Sequence, residues 1–147
     1  MRLVVQRVQR AKVYRVNDGK TLGEIGLGLF VLVGFKKGDS EKEVGILADK
    51  ISKLRVMSDS EDKMNLSVPE TKSEILIVSQ FTLYADTKGG NRPSFIDAEE
   101  PEKAKKLYEL FISKLKEKGI KVEMGSFGDY MKIETILDGP VTIIYSD

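Results

Sequence analysis

The 147-residue sequence contains no histidine and no cysteine. Without these residues the chain cannot form a Ser-His-Asp triad, a cysteine nucleophile or a zinc site with Cys and His ligands. The absence of cysteine also excludes disulfides, so nothing indicates a secreted protein. If the chain is an enzyme, its chemistry must use carboxylates, lysine, tyrosine, hydroxyl groups, backbone amides or groups of the substrate.

The sequence also lacks a strong excess of charge and any long apolar run. Its 24 Lys and Arg residues nearly balance 23 Asp and Glu residues, and the formal net charge is +1. Such a balance does not by itself indicate nucleic-acid binding, which would need a local basic patch. No apolar region of a signal peptide opens the chain, and no segment has the length of a membrane span. We therefore expect a cytoplasmic protein with no membrane partner.

The length predicts one domain over residues 1–147, and 32% charged with 41% apolar residues is typical of a globular protein. Two amphipathic helices are predicted, one opened by a capping box of Ser40 and Glu43 and one between Pro101 and Gly119. Strands are predicted at residues 2–8, 12–16, 21–25, 29–33, 74–84, 120–124, 131–137 and 141–145. Since the strands come in runs with the helices inserted between them, we expect an α+β fold. Its sheet would be mostly antiparallel or mixed, or barrel-like, with two main helices.

The stretch 74–86 predicts the central strand of this sheet, because it is mostly apolar on both faces. Ser79, Gln80 and Thr82 interrupt this apolar pattern. A buried polar group without a partner costs about 1–3 kcal/mol, so either the fold pairs these groups or the strand opens onto a site. The pattern alone favours pairing. The functional alternative is a strand end that offers hydroxyls and backbone N–H groups to a carbonyl oxygen.

Other candidates also have two interpretations. Gly139-Pro140 is typical of a plain turn, although about 5–6% of X–Pro bonds are cis. The segment 88–95 is typical of a solvated loop, but Lys88 and Arg92 could contact phosphates. No spacing of carboxylates indicates a glycosidase or a metal site.

Taken together, several stretches resemble the D-aminoacyl-tRNA deacylases, also called D-tyrosyl-tRNA(Tyr) deacylases. They are MRLVVQRV at 1–8, GEIG at 23–26, KMNLS at 63–67, SQFTLYAD at 79–86, NRPSF at 91–95, FG at 127–128 with Met131, and DGPVT at 138–142. Their order and spacing cover essentially the whole chain. One departure is Leu137, which stands where the family has an asparagine.

The resemblance implies an editing hydrolase that cleaves the ester between a D-amino acid and the 3′-terminal adenosine of tRNA, and that also removes glycine from mischarged tRNA. It implies a homodimer with tRNA as its partner, no DNA partner and no cofactor or metal. Gly139 and Pro140 would form a cis pair that enters the partner's pocket, accepts the α-amino group and excludes an L side chain. Arg7 would help to hold this pair in place.

By the same resemblance, Ser79, Gln80, Phe81 and Thr82 would form the opposite wall of the site, mainly through backbone and orienting contacts. The family implies a carbonyl contact from the backbone N–H of Phe81. Thr82 is a possible nucleophile, but catalysis assisted by the ribose 2′-OH is favoured. The adenine pocket would contain Phe127 and Met131. The alternative function is a non-catalytic module that binds the 3′ end of tRNA.

Overall fold

The computed structural model describes residues 1–146. Its eight strands are β1 (Arg2–Arg15), β2 (Thr21–Ile25), β3 (Gly28–Gly34), β4 (Met57–Ser58), β5 (Met64–Leu66), β6 (Glu74–Ser79), β7 (Lys121–Met124) and β8 (Met131–Tyr145). The α-helices are α1 (Glu41–Ser52), α2 (Val68–Thr71) and α3 (Pro101–Glu117), and a 3-10 helix covers Phe81–Tyr84. No helix within this part of the chain combines the length and hydropathy that crossing a membrane would need.

Six strands form a mixed sheet, which confirms the predicted fold class. The strand order is β2-β1-β3-β6-β7, and β8 also pairs with β1. The long strand β1 is antiparallel to β2, β3 and β8, whereas β3–β6 and β6–β7 are parallel pairs. The strands β4 and β5 form a separate two-stranded ribbon.

The sheet curls until its two ends, β2 and β7, almost meet. At Gly23 on β2 a Cβ would lie 3.1 Å from the carbonyl oxygen of Met124 at the end of β7, so glycine permits this close approach. One apolar cluster, which includes Val8, Phe30 and Val78, fills the inside of the curled sheet. The sheet is therefore barrel-like.

A larger apolar cluster lies between the sheet and the helices α1 and α3. Helix α1 begins with the predicted capping box, in which the backbone N–H of Ser40 donates to Glu43 Oε2 at 2.8 Å. Helix α3 begins at Pro101 and buries Leu107 and Phe111 on the face toward the sheet. Both predicted helices are confirmed.

The predicted break in the first strand is wrong. Exposed Gln9 and Arg10 interrupt the apolar alternation, but β1 continues through them because β8 pairs along most of its length. The predicted turn at 138–140 is also wrong, since β8 continues past it in the same ladder. The register shifts near Val8 accommodate Pro140, which has no N–H to donate.

The strand predicted over 74–84 is wrong in its second half. Strand β6 ends at Ser79, and a 3-10 helix replaces the expected continuation. The backbone N–H of Gln80 still reaches β3, where it donates to Val33 O at 2.7 Å. The N–H of Leu83 then donates back to Gln80 O at 3.3 Å, so the chain turns away from the sheet directly after the polar residues.

Candidate active site

A cavity of about 770 Å³ opens where β6 ends. Its walls come from the segment that follows β3, the end of β6, the first residue of the 3-10 helix, the loop that leads into α3 and the turn between β7 and β8. The residues that border it include Lys37, Ser79, Gln80, Phe81, Phe95, Glu99, Glu100, Phe127, Asp129, Tyr130 and Met131. Five of the predicted site residues therefore border one cavity: Ser79, Gln80, Phe81, Phe127 and Met131.

The polar residues after β6 are only partly satisfied by the fold. The side chain of Gln80 donates to Thr82 Oγ1, and its backbone N–H is bound to β3. The N–H groups of Phe81 and Thr82 lie in the first turn of the 3-10 helix, where no intrahelical acceptor is available. Of these two residues Phe81 borders the cavity, so its N–H can bind a ligand oxygen.

Phe81 contributes an apolar side to the same wall. Its side chain is 56% exposed, and its ring packs edge-on against Phe95 with 5.0 Å between the ring centres. Thr82 is exposed and does not border the cavity.

The opposite side of the cavity is held by a buried tyrosine of α3. The Tyr108 hydroxyl donates to Ile77 O at 2.9 Å and lies 3.4 Å from Gly125 O. Its ring lies 5.8 Å from that of Phe127. Burial raises the pKa of Tyr108 well above its ordinary value, so this hydroxyl stays neutral. Tyr108 thus fixes the backbone on which Phe127 is placed.

Met131 completes this side. Its sulfur accepts the backbone N–H of Ser126 at 3.3 Å, across the turn between β7 and β8. An aromatic ring and a polarizable thioether that border one cavity suit a flat heteroaromatic ligand.

Gly139 and Pro140 lie outside this cavity. The peptide bond between them is cis, and Gly139 has a φ of +124°, which favours glycine. Arg7 Nε lies 2.9 Å from Asp138 Oδ2 in an ion pair without an aligned hydrogen bond. Arg7 Nη1 donates to Val56 O at 2.8 Å. The structure thus places Arg7 directly beside the Gly139-Pro140 segment.

Sequence reasoning missed several residues that border the cavity. Phe95 closes the NRPSF stretch of the resemblance but carries no predicted role, whereas Lys88 and Arg92 of the same loop, the candidate phosphate contacts, are exposed and do not border the cavity. Nothing in the local pattern pointed to Tyr130, and Leu137 is exposed on β8 opposite Val8.

The carboxylates at the cavity are engaged in pairs. Glu99 accepts from Lys103 at 2.7 Å, and this hydrogen bond lowers the pKa of Glu99. Asp129 lies 3.4 Å from Arg15. Within residues 1–146, no group of three or more His, Cys, Asp or Glu side chains is arranged to hold a metal ion.

A family model and two relatives of known name match this chain over nearly its full length. The family model described as D-Tyr-tRNA(Tyr) deacylase matches residues 4–146. A D-aminoacyl-tRNA deacylase of Thermotoga petrophila is 52% identical, with 98% of this chain and 95% of the relative covered. One from Fusobacterium nucleatum is 54% identical, with 98% and 94% covered.

Two solved structures resemble this chain. The c-Myc DNA unwinding element binding protein is 39% identical with a TM-score of 0.91, covering 100% of this chain and 99% of its own. A probable eukaryotic D-amino acid tRNA deacylase superimposes with a TM-score of 0.85 over 98% of this chain and 97% of its own. At 17% identity the latter shows the fold alone.

Proposed function

Because this chain belongs to the D-Tyr-tRNA(Tyr) deacylase family, we propose that its cavity holds the 3′-terminal adenosine of a D-aminoacyl-tRNA while the ester to the amino acid is hydrolysed. Relatives at 52% and 54% identity carry the name D-aminoacyl-tRNA deacylase, and the enzyme class follows from them. The observation that carries the proposal is the meeting of the Ser79–Phe81 wall with Phe127 and Met131 at one cavity. The enzyme would act in the cytoplasm, where aminoacyl-tRNA is used.

Phe127 and Met131 are the proposed adenine contacts. Stacking of a base on an aromatic side chain contributes about 1–3 kcal/mol, so Phe127 can orient the nucleoside without reading any other part of the tRNA. Tyr108, which packs beside Phe127, supports this orientation from within the core.

The backbone N–H of Phe81 is the proposed donor to the ester carbonyl. A donor that is already fixed in the fold stabilises the developing oxyanion without reorganisation. The ribose 2′-OH would then assist hydrolysis, and no protein side chain would be essential. Support comes from the residues bordering the cavity, which include neither histidine nor cysteine, and from Thr82, whose side chain lies outside the lining.

The second wall of the site is proposed to come from a second copy of the chain. Gly139 and Pro140 are exposed and do not border the cavity of their own protomer. They belong to β8, whose only pairing partner among the described strands is β1. Exposed apolar side chains on β8 include Ile136 and Ile144, at 48% and 68% exposure, which a dimer would cover.

In such a dimer, the partner's Gly139 and Pro140 would accept the α-amino group and clash with an L side chain. Discrimination by a clash against the wrong enantiomer does not reject glycine, which has no side chain. Glycyl-tRNA is therefore a second proposed substrate.

The test is hydrolysis of D-Tyr-tRNA, L-Tyr-tRNA and Gly-tRNA by the purified protein, with and without a chelator. We expect rapid release of D-tyrosine and glycine, and no acceleration for the L ester. Equal rates on the two enantiomers would exclude chiral editing. Tight tRNA binding without hydrolysis would instead indicate a non-catalytic module for the 3′ end.

A further inference from the structure

We infer that Tyr130 forms a second nucleotide subsite at the mouth of the cavity, where its ring stacks on the base that precedes the terminal adenosine. This inference rests on the proposed function, since it needs the adenosine to occupy the cavity. It adds a contact with the penultimate cytidine that all tRNAs carry.

The position of Tyr130 supports this role. The side chain is 81% exposed, although it borders the same cavity as Phe127 and Met131. The backbone beneath it is fixed, because the N–H of Val16 donates to Tyr130 O at 3.0 Å. None of the ring contacts found within residues 1–146 involves Tyr130. A fixed backbone with an uncovered ring is the arrangement of a stacking platform.

The charges around the mouth favour a contact with the base of this nucleotide rather than with its phosphate. The carboxylates of Glu99 and Asp129 border the cavity, and each is paired within the protein. Lys37 is the only cation among the described bordering residues, and its Nζ lies 3.9 Å from Glu100. Carboxylates repel a phosphate, whereas a neutral ring face accepts any base.

The surroundings of Tyr130 distinguish it from the apolar surface of β8. Its neighbours Asp129 and Lys132 are charged and exposed, and the exposed apolar side chain nearby, Ile133, borders the same cavity. Ile136 and Leu137 lie outside the cavity as adjacent exposed apolar residues of β8. A contact with RNA is therefore favoured over one with a second copy of this chain, and the experiment below separates the two.

The experiment compares wild type, Tyr130→Leu and Tyr130→Phe on two substrates. One is D-tyrosine esterified to adenosine alone, and the other is D-tyrosine esterified to a hairpin RNA that ends in CCA. For Tyr130→Leu we expect KM on the RNA to rise roughly tenfold or more with little change in kcat. On the adenosine ester, which has no penultimate base, all three proteins should be equal. Tyr130→Phe keeps the ring and should match wild type on both substrates.

A spectroscopic readout tests the stacking directly. The cytidine is replaced by 2-aminopurine in an RNA whose amino acid is linked through a non-hydrolysable amide. Its fluorescence should be quenched by wild type and by Tyr130→Phe, but not by Tyr130→Leu.

Three results would overturn the inference while leaving the proposed function intact. They are unchanged KM of Tyr130→Leu on the RNA, equal losses on both substrates, and a change from dimer to monomer in sedimentation, which would identify a subunit contact. If wild type also fails to hydrolyse D-Tyr-tRNA, the proposed function itself fails, and the inference fails with it.

Discussion

Arg7 Nε lies 2.9 Å from Oδ2 of Asp138, the residue that precedes Gly139. The same guanidinium donates to Val56 O at 2.8 Å, so it links the middle of β1 to β8 and to the chain that follows α1. Only 11% of the Arg7 side chain and 29% of the Asp138 side chain are exposed. A partly buried charge with fixed partners on two segments restricts where the Gly139-Pro140 pair can lie.

Replacing Arg7 by Leu should therefore weaken chiral editing. Asp138 would lose its ion-pair partner and Val56 O its donor, and a group left unpaired in a partly buried place costs about 1–3 kcal/mol. We expect a lower rate on D-Tyr-tRNA, a smaller ratio of D to L hydrolysis and a lower urea midpoint. Lys105→Leu, at an exposed position of α3 away from β8, is the control. An unchanged D/L ratio in Arg7→Leu would show that Arg7 does not contribute to discrimination between the D and L esters.

Thr82→Ala should retain most of the deacylase activity. The Thr82 hydroxyl accepts from the Gln80 side chain and does not border the cavity, which suits an orienting role better than attack on the ester. A tRNA that ends in 2′-deoxyadenosine should in contrast be a poor substrate for wild type. Loss of turnover in Thr82→Ala, together with normal hydrolysis of the deoxy substrate, would instead identify Thr82 as the nucleophile.

The sequence predicted the features of the fold that depend on neighbouring residues. The capping box at Ser40 and the helix start at Pro101 are local and were located correctly. The continuity of β1 and β8 was not predictable in this way, because it depends on pairing between residues more than 100 positions apart, such as Val8 with Leu137. The polarity at Gln9 and the Gly139-Pro140 pair predict breaks in the two strands, because the pairing between distant residues leaves no signal in the local sequence.

The exposed apolar residues of β8 should be required for dimer formation. Ile136 is 48% exposed in the single chain, and a lysine there would place a charge in the proposed interface. We expect Ile136→Lys to sediment as a monomer and to lose activity, because Gly139 and Pro140 could no longer reach a partner's cavity. Leu27→Lys changes an apolar side chain of similar exposure outside β8 and should remain a dimer. A fully active monomeric Ile136→Lys would show that one chain suffices.

Tyr108→Phe should destabilise the fold slightly and weaken adenosine binding. Ile77 O loses the hydroxyl at 2.9 Å but keeps the N–H of Gly125 at 2.9 Å, whereas Gly125 O loses its contact with the hydroxyl at 3.4 Å. With one of the two carbonyls still satisfied, the expected loss in the free energy of unfolding is about 1 kcal/mol. KM on D-Tyr-tRNA should rise because the turn that carries Phe127 is less fixed. An unchanged urea midpoint would show that the hydroxyl contributes no net stability.

The candidate site was predictable only where a residue type limits the chemistry. The missing histidine and cysteine left backbone donors among the few chemical groups available, and the resemblance added Phe81, Phe127 and Met131, which border one cavity. Tyr130 could not be found, because its exposure beside the cavity depends on how β8 begins next to Val16. An exposed aromatic residue in a polar turn has no distinguishing pattern.

Glu74→Gln should lower stability at neutral pH but not in acid. Glu74 accepts hydrogen bonds from Lys121 and, at 3.0 Å, from the N–H of Gly26, and these bonds hold its pKa below 4.5, its ordinary value. A carboxyl whose pKa is lowered by folding stabilises the native state above the unfolded pKa, and this stabilisation disappears as the pH falls through the folded pKa.

Because the Lys121 side chain is 64% exposed, we expect the free energy of unfolding of Glu74→Gln to differ from that of wild type by less than about 1 kcal/mol at pH 7. Urea unfolding at a series of pH values should show the two curves converging as the pH falls below 4.5, the ordinary pKa of a glutamate, and through the lowered pKa of Glu74. Glu109→Gln, at an exposed position of α3 without an ion pair among residues 1–146, should follow wild type throughout. A gap between Glu74→Gln and wild type that stays constant into acid would mean that the side chain acts through its shape and not through its charge.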